Sequence, residues 1–166
     1  MSAESAMGLP AIDVVVEAGA WDAAAGQVAR RALSAAATAL GADLGNHTLA
    51  LLLTDDAAIR RLNAQWRGLD KPTNVLSFPA AARITPDGTR SLGDIAIAYE
   101  TTAREARAEG KAFAEHLAHL CVHGFLHLMD YDHDTDAQAE IMENLERVIL
   151  RRLGVADPYL TPQIGA

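Results

Sequence analysis

At 166 residues, half of them hydrophobic and 22% charged, the chain has the size and composition of one globular domain with its own core. With 14 basic and 22 acidic side chains the net charge is −8, which excludes a basic field over the whole molecule, so any contact with nucleic acid must be made by a local patch. No run of 18 apolar residues occurs, MSAESAMGLP lacks the basic and apolar regions of a secretory leader, and the single Cys121 excludes a disulfide framework; a cytoplasmic protein without a membrane span is expected.

Residues 1–10 are small and polar with a proline, and are expected to be loosely attached. IDVVVE (12–17) is a β-branched run that predicts a strand, and the alanine-rich stretch 20–40, with Trp21, Val28, Leu33 and Leu40, predicts a helix. HTLALLLT (47–54) predicts a buried strand. Thr54 or Asp55 can cap a following helix that ends near Trp66, with Ile59, Leu62 and Trp66 on one face. After a loop from Arg67, residues 75–78 predict a short strand; Pro86, Asp87 and Gly88 mark a turn in an exposed connection over 80–91, and LGDIAIAY (92–99) alternates as a strand should.

From about 101 to 129 the pattern is helical, with a break near Gly110. The last helix spans about 135–153, with a capping box from Thr135 and Gln138 and an inward stripe of Ile141, Leu145, Val148 and Ile149. The order β-α-β-α-β-β-α-α, without repeat or linker, predicts a single α/β (α+β) domain over 11–160: a small mixed sheet covered by helices, with 161–166 as a tail.

The chemistry concentrates in HGFLHLMDYDH, His123 to His133. His123 and His127 lie one helical turn apart on one face, so both imidazoles can reach one ion. His133 can supply a third corner if the chain reverses after the helix, and Asp130 stands at the reversal. A helix end there needs positive φ; glycine is usual, and aspartate is among the few residues that tolerate it. Asp130 also brings a carboxylate near the ion. The spacing H-x3-H-x5-H is that of the long metalloprotease motif, but Gly124 occupies the position of the catalytic glutamate, which disfavours peptide hydrolysis by that route.

Three neutral nitrogen ligands suit Zn2+ and leave a fourth position open, the mark of a catalytic rather than a structural site. Cys121, about 200° round the helix from His123, points away and reads as a small buried hydrophobe. An open zinc site can polarise a phosphoryl oxygen or activate water without the missing glutamate. For His116 and His119, on the same stripe, three roles stay open: support behind a ligand, core packing or substrate contact. Asp94 reads as a cap, a turn residue or a carboxylate behind a histidine, and Asp132 carries the same ambiguity; Ser77 has no base paired to it and reads as a strand residue.

HLCVHGFLHLMDYDH, LDKPTNVLSFP and LGDIAIA, in this order, with Glu140, Met142, Glu143 and Glu146 of the last helix, resemble the YbeY family of bacterial single-strand-specific endoribonucleases. The resemblance runs from about Leu62 to Tyr159. It implies a single-domain α/β fold, a zinc ion on His123, His127 and His133, and RNA cleavage in ribosomal RNA maturation (the small-subunit rRNA 3′ end) and ribosome quality control. It also implies the small ribosomal subunit and the GTPase Era as partners, and a functional arginine at Arg67. Two positions depart from the family pattern: Asp130 stands for a glycine, and Asn74 for an aspartate.

Arg67 suits a phosphate partner, because a guanidinium offers a planar donor fork and keeps its charge. One such contact to a developing negative charge is typically worth about 3–4 kcal/mol of barrier. Arg60, Arg61 and Lys71 either form a local basic patch with it or a solvated helix face. Two other readings remain: a ribosome-assembly binding protein with a structural zinc, and a metallopeptidase.

Overall fold

The computed structural model describes residues 8–80 and 84–160. In chain order the elements are β1 (Ala11–Val16), α1 (Ala25–Leu40), β2 (His47–Thr54), α2 (Asp56–Arg67), β3 (Val75–Pro79), β4 (Arg90–Ala98), α3 (Tyr99–Ala108), α4 (Phe113–Leu128) and α5 (Asp136–Arg152). The expected order holds, and the long helical stretch is divided where Gly110 adopts a φ of 66°. The exposed connection before β4 contains a turn closed by Thr85 N–H to Thr89 O (2.8 Å), and β4 begins at Arg90, two residues earlier than expected.

One mixed sheet results, in the order β1-β2-β4-β3, with β1, β2 and β4 parallel and β3 antiparallel to β4. Alternation along the strands sends Leu49, Leu51, Leu53, Ile95 and Ile97 into the main core beneath α1, α4 and α5. Leu76, Ala96 and Ala98 face the opposite side and meet Ile59 of α2. Helix α4 lies deepest: 10 of its 16 residues are buried, so its polar histidine stripe is held by an otherwise apolar rod.

Helix α1 starts at Ala25 rather than residue 20; its buried residues are Ala25, Ala29, Ala32, Leu33, Ala36 and Ala37, with Val28 and Leu40 partly buried against the core. Small side chains let it lie close to α4. Trp21 packs before the helix, its indole N–H donating to the Thr54 carbonyl at 2.9 Å. Asp55 caps α2, accepting from Ala58 N–H at 2.8 Å. Trp66, expected on the inner face of α2, is 64% exposed on its last turn.

The stripe expected for α5 is also corrected. Its buried residues are Met142, Glu146, Ile149 and Leu150, while Ile141 (56%) and Val148 (45%) face outward. A carboxylate drawn into the interior rotates the helix by about one residue from the purely apolar reading. The Thr135–Gln138 capping box forms as expected.

Residues 8–10 are attached rather than loose: Gly8 N–H donates to Asp43 Oδ1 (2.9 Å), and Leu44 N–H to the Gly8 carbonyl (3.0 Å). Residues 1–7 and the tail 161–166 lie outside the described residues. No helix among the described residues is long and apolar enough to cross a membrane.

Asp130 has a φ of 71°, the one left-handed non-glycine among the described residues. In zinc-free protein, Asp130→Gly is expected to raise stability by up to about 1 kcal/mol by removing this strain, and Asp130→Val to lower it by about 1–2 kcal/mol. Urea unfolding of the three proteins checks the order.

Candidate metal centre

Because α4 is packed on every side but one, its outward stripe is fixed, and the stripe carries His119, His123 and His127. The Nε2 atoms of His123 and His127 lie 3.1 Å apart. The chain then reverses at Asp130, and Tyr131 N–H closes the helix end on the Leu126 carbonyl at 3.0 Å. His133 returns to the stripe, its ring centre 5.7 Å from that of His123 and 5.0 Å from that of His127. One ligand nitrogen from each of the three histidines lies within 4.8 Å of the others.

Imidazole nitrogens converging this closely repel one another unless a proton or a cation lies among them, so the donor set fits a borderline divalent metal ion. Burial pushes the His127 pKa down, as do His123 and His133, with Asp132 opposing; the neutral ring that results is the form that binds metal. His123 and His127 are half-buried and His133 is exposed.

Behind the stripe stands a residue that the sequence reading left without a role. Glu146 of α5 is 1% exposed, and its carboxylate meets His119 Nε2 at 2.6 Å and His123 Nδ1 at 3.4 Å. Tyr159 Oη donates to both of its oxygens, at 2.8 and 3.0 Å. Burial on its own would push the Glu146 carboxyl up, but the bonds and charge of His119 and His123 outweigh it and hold it at about 2. A carboxylate on Nδ1 fixes the His123 tautomer with Nε2 free to face the ion. The sequence signal was an acidic residue at the spacing of an inward stripe, four after Met142 and three before Ile149.

Tyr159 is itself held. Arg147 lies 5.3 Å from its ring centre and pairs with Asp157 at 3.0 Å, while Tyr159 N–H donates to Asp157 at 2.8 Å. Burial, followed by the Glu146 charge, pushes the Tyr159 hydroxyl pKa up, so it stays a donor. A cavity of about 310 Å³ opens here, lined by His123, His133, Met142, Glu143, Glu146 and Tyr159.

His119 thus neighbours His123, bonded to the same Glu146. Asp132 Oδ1 lies 3.6 Å from His127 Nδ1, a charge contact rather than a hydrogen bond. Asp130 is exposed and acts through its backbone. Asp94 is neither cap nor turn: it lies within β4, on the face shared with Ala96 and Ala98, away from α4. His116 is buried against Glu105 (2.9 Å) and belongs to the α3–α4 contact.

Asn74 donates to the same Glu105 at 2.9 Å, where an aspartate would set two carboxylates together. Cys121 is fully buried, and burial pushes its thiol up to about 12, well away from the thiolate a metal needs. Ser77 donates to the Gly124 carbonyl at 3.0 Å, as a strand residue tying β3 to α4.

Arg67 is exposed at the end of α2, on the opposite side of the sheet from the histidines. Edge strand β3 is touched from both sides: Trp66 meets Phe78 on one face (ring centres 6.3 Å apart), and Ser77 meets Gly124 on the other.

Fold and site together define an α/β domain with three converging histidines that can hold a metal ion. The family model described as Endoribonuclease YbeY matches residues 16–154. A relative from Rhodopseudomonas palustris (strain BisA53), named Endoribonuclease YbeY, is 58% identical over 155 residues, covering 90% of each chain. One of the same name from Nitrobacter hamburgensis is 59% identical over 157 residues, covering 91% of this chain and 83% of its own. A solution structure of a Thermotoga maritima protein shares the fold, with a TM-score of 0.54 at 21% identity over 90% of this chain and 99% of that one. The chain belongs to the Endoribonuclease YbeY family.

Proposed function

We propose that the chain is a zinc-dependent endoribonuclease specific for single-stranded RNA, acting in the cytoplasm on ribosomal RNA precursors at the small-subunit 3′ end and in ribosome quality control. The small ribosomal subunit and the GTPase Era are its partners in this reading. The observation that carries it is the convergence of His123, His127 and His133 in a chain of this family. When bound, zinc supplies a positive charge able to polarise a phosphoryl oxygen or acidify a water.

The chain's own residues do the rest. Glu146 orients His123 from behind, and Asp132, 3.6 Å from His127, adds a negative charge beside that ring without a hydrogen bond. Arg67 reaches the RNA phosphate backbone from the other side of β3 and offsets the charge that builds on phosphorus. Buried Gly124 offers no proton acceptor, which supports a phosphodiester rather than a peptide substrate.

Metal content and RNA cleavage test the reading together. Wild-type protein purified without a histidine tag is expected to carry about one zinc per chain and to cut single-stranded RNA. His127→Ala is expected to lose both, with its circular dichroism largely kept. Cleavage that survives complete chelation would overturn the proposal. Unfolding on chelation would make the zinc structural and favour the assembly-protein reading.

A further inference from the structure

Tryptophan is costly to leave in water, since burying one removes about 150–250 Å² of largely apolar surface. Trp21 follows that rule and Trp66 does not: it is 64% exposed in a well-formed helix, next to Leu69, itself 44% exposed. Trp66 is also held. Its ring meets Phe78 of edge strand β3 edge-on, with centres 6.3 Å apart and planes at 60°, so a broad aromatic face is presented to solvent from a fixed position.

The charge around it runs against the molecule. Between Arg60 and Lys71 the chain has four cations (Arg60, Arg61, Arg67 and Lys71) and one carboxylate, Asp70, in a protein of net charge −8. Asp70 is taken by Arg60 at 2.8 Å, while Arg61, Arg67 and Lys71 have no ion-pair partner among the described residues. An apolar protein partner would favour a contiguous patch free of charge; an exposed aromatic side chain in a stretch of chain that also carries unpaired cations suits an aromatic ligand on an anionic backbone.

We propose that Trp66 is a stacking site for a base of the single-stranded RNA substrate, with Arg67 and its neighbouring cations on the flanking phosphates. The strand then passes round the open edge of β3, from Trp66 and Arg67 on one face to the histidines on the other. This rests on the RNA-cleaving reading and adds to it a position that sets how the strand is held. Stacking tolerates any base, so it contributes affinity without sequence preference.

Trp66 emission and RNA affinity provide the test, using a ten-nucleotide 2′-O-methyl oligoadenylate, which binds without being cut through its own 2′-hydroxyl. Binding to wild type is expected to quench the tryptophan emission. Trp66→Ala is expected to lose about 5- to 100-fold in affinity, and Trp66→Phe to recover most of it. The salt dependence should be unchanged in both, because no phosphate contact is removed.

An oligonucleotide that binds wild type without quenching, and binds Trp66→Ala as tightly, would overturn the stacking site and leave the nuclease reading intact. No binding to wild type at all would overturn both. Both variants change an exposed side chain, and circular dichroism confirms their fold.

Discussion

Gly124→Glu, which restores the H-E-x-x-H spelling of a zinc peptidase, is expected to yield no peptidase and no stably folded protein. Position 124 faces the sheet. A β-carbon there would sit 3.0 Å from Ile95 Cγ2 and 3.1 Å from Ser77 Oγ, tighter than ordinary van der Waals contact. The milder Gly124→Ala sets two effects against each other. Alanine gains about 1 kcal/mol of helix propensity over glycine, whereas overpacking a core costs about 1–3 kcal/mol.

Since α4 is pinned to β3 and β4, the second effect is expected to win, with a net loss of up to about 2 kcal/mol. Glutamate adds four heavy atoms beyond that β-carbon and a carboxylate without a buried partner, which costs several kcal/mol more. Thermal unfolding ranks the three proteins, and a casein assay with added zinc checks the activity. A folded Gly124→Glu protein that cleaves casein would show that the glycine is not what bars peptide hydrolysis.

Glu146→Gln is expected to weaken zinc binding about 10- to 100-fold, the usual effect of altering a group that orients a metal-bound histidine. The carboxylate receives three donors: Tyr159 Oη–H, His119 and the Nδ1–H of His123. An amide of the same shape has one acceptor oxygen and turns its own N–H2 towards one of those donors, so a bond is lost and a clash of hydrogens replaces it.

The helix packing is kept, so the metal-free fold should survive. Chelator competition measures the affinity, and circular dichroism of the metal-free protein separates an effect on the ligand from one on the fold. Equal affinity in the two proteins would assign Glu146 to α5 packing alone. Tyr159→Phe leaves the carboxylate in place, and a smaller effect of the same sign is expected.

The parts of this molecule that were legible in its sequence are those fixed by local geometry. His123 and His127 are bound to share a helix face by their spacing, and the φ of 71° at Asp130 follows from the need to bring His133 back. The strand pattern of residues 92–98 likewise follows from side-chain alternation, and Thr135 with Gln138 is a purely local cap.

What could not be read depends on partners distant in sequence. Glu146 is interior because two histidines from another helix and a tyrosine 13 residues further on meet it there. Without them, an acidic residue amid Ile141, Leu145 and Val148 reads as part of the outer face. Trp66 shows the converse, since an aromatic at helical spacing reads as core until the sheet beneath α2 proves to be filled by Leu76, Ala96 and Ala98.

Two of the three histidines that converge here ride on the deepest helix of the domain, and the third on an exposed turn between α4 and α5. The distance between the first two is set by the core, whereas the reach of His133 is set by a few solvent-facing residues. A cradle with two rigid corners and one adjustable corner discriminates poorly by ionic radius, so it would close on zinc, nickel or ferrous iron with little difference in strain. Choice among such ions would then follow supply and the order of affinities for nitrogen ligands, rather than the shape of the site.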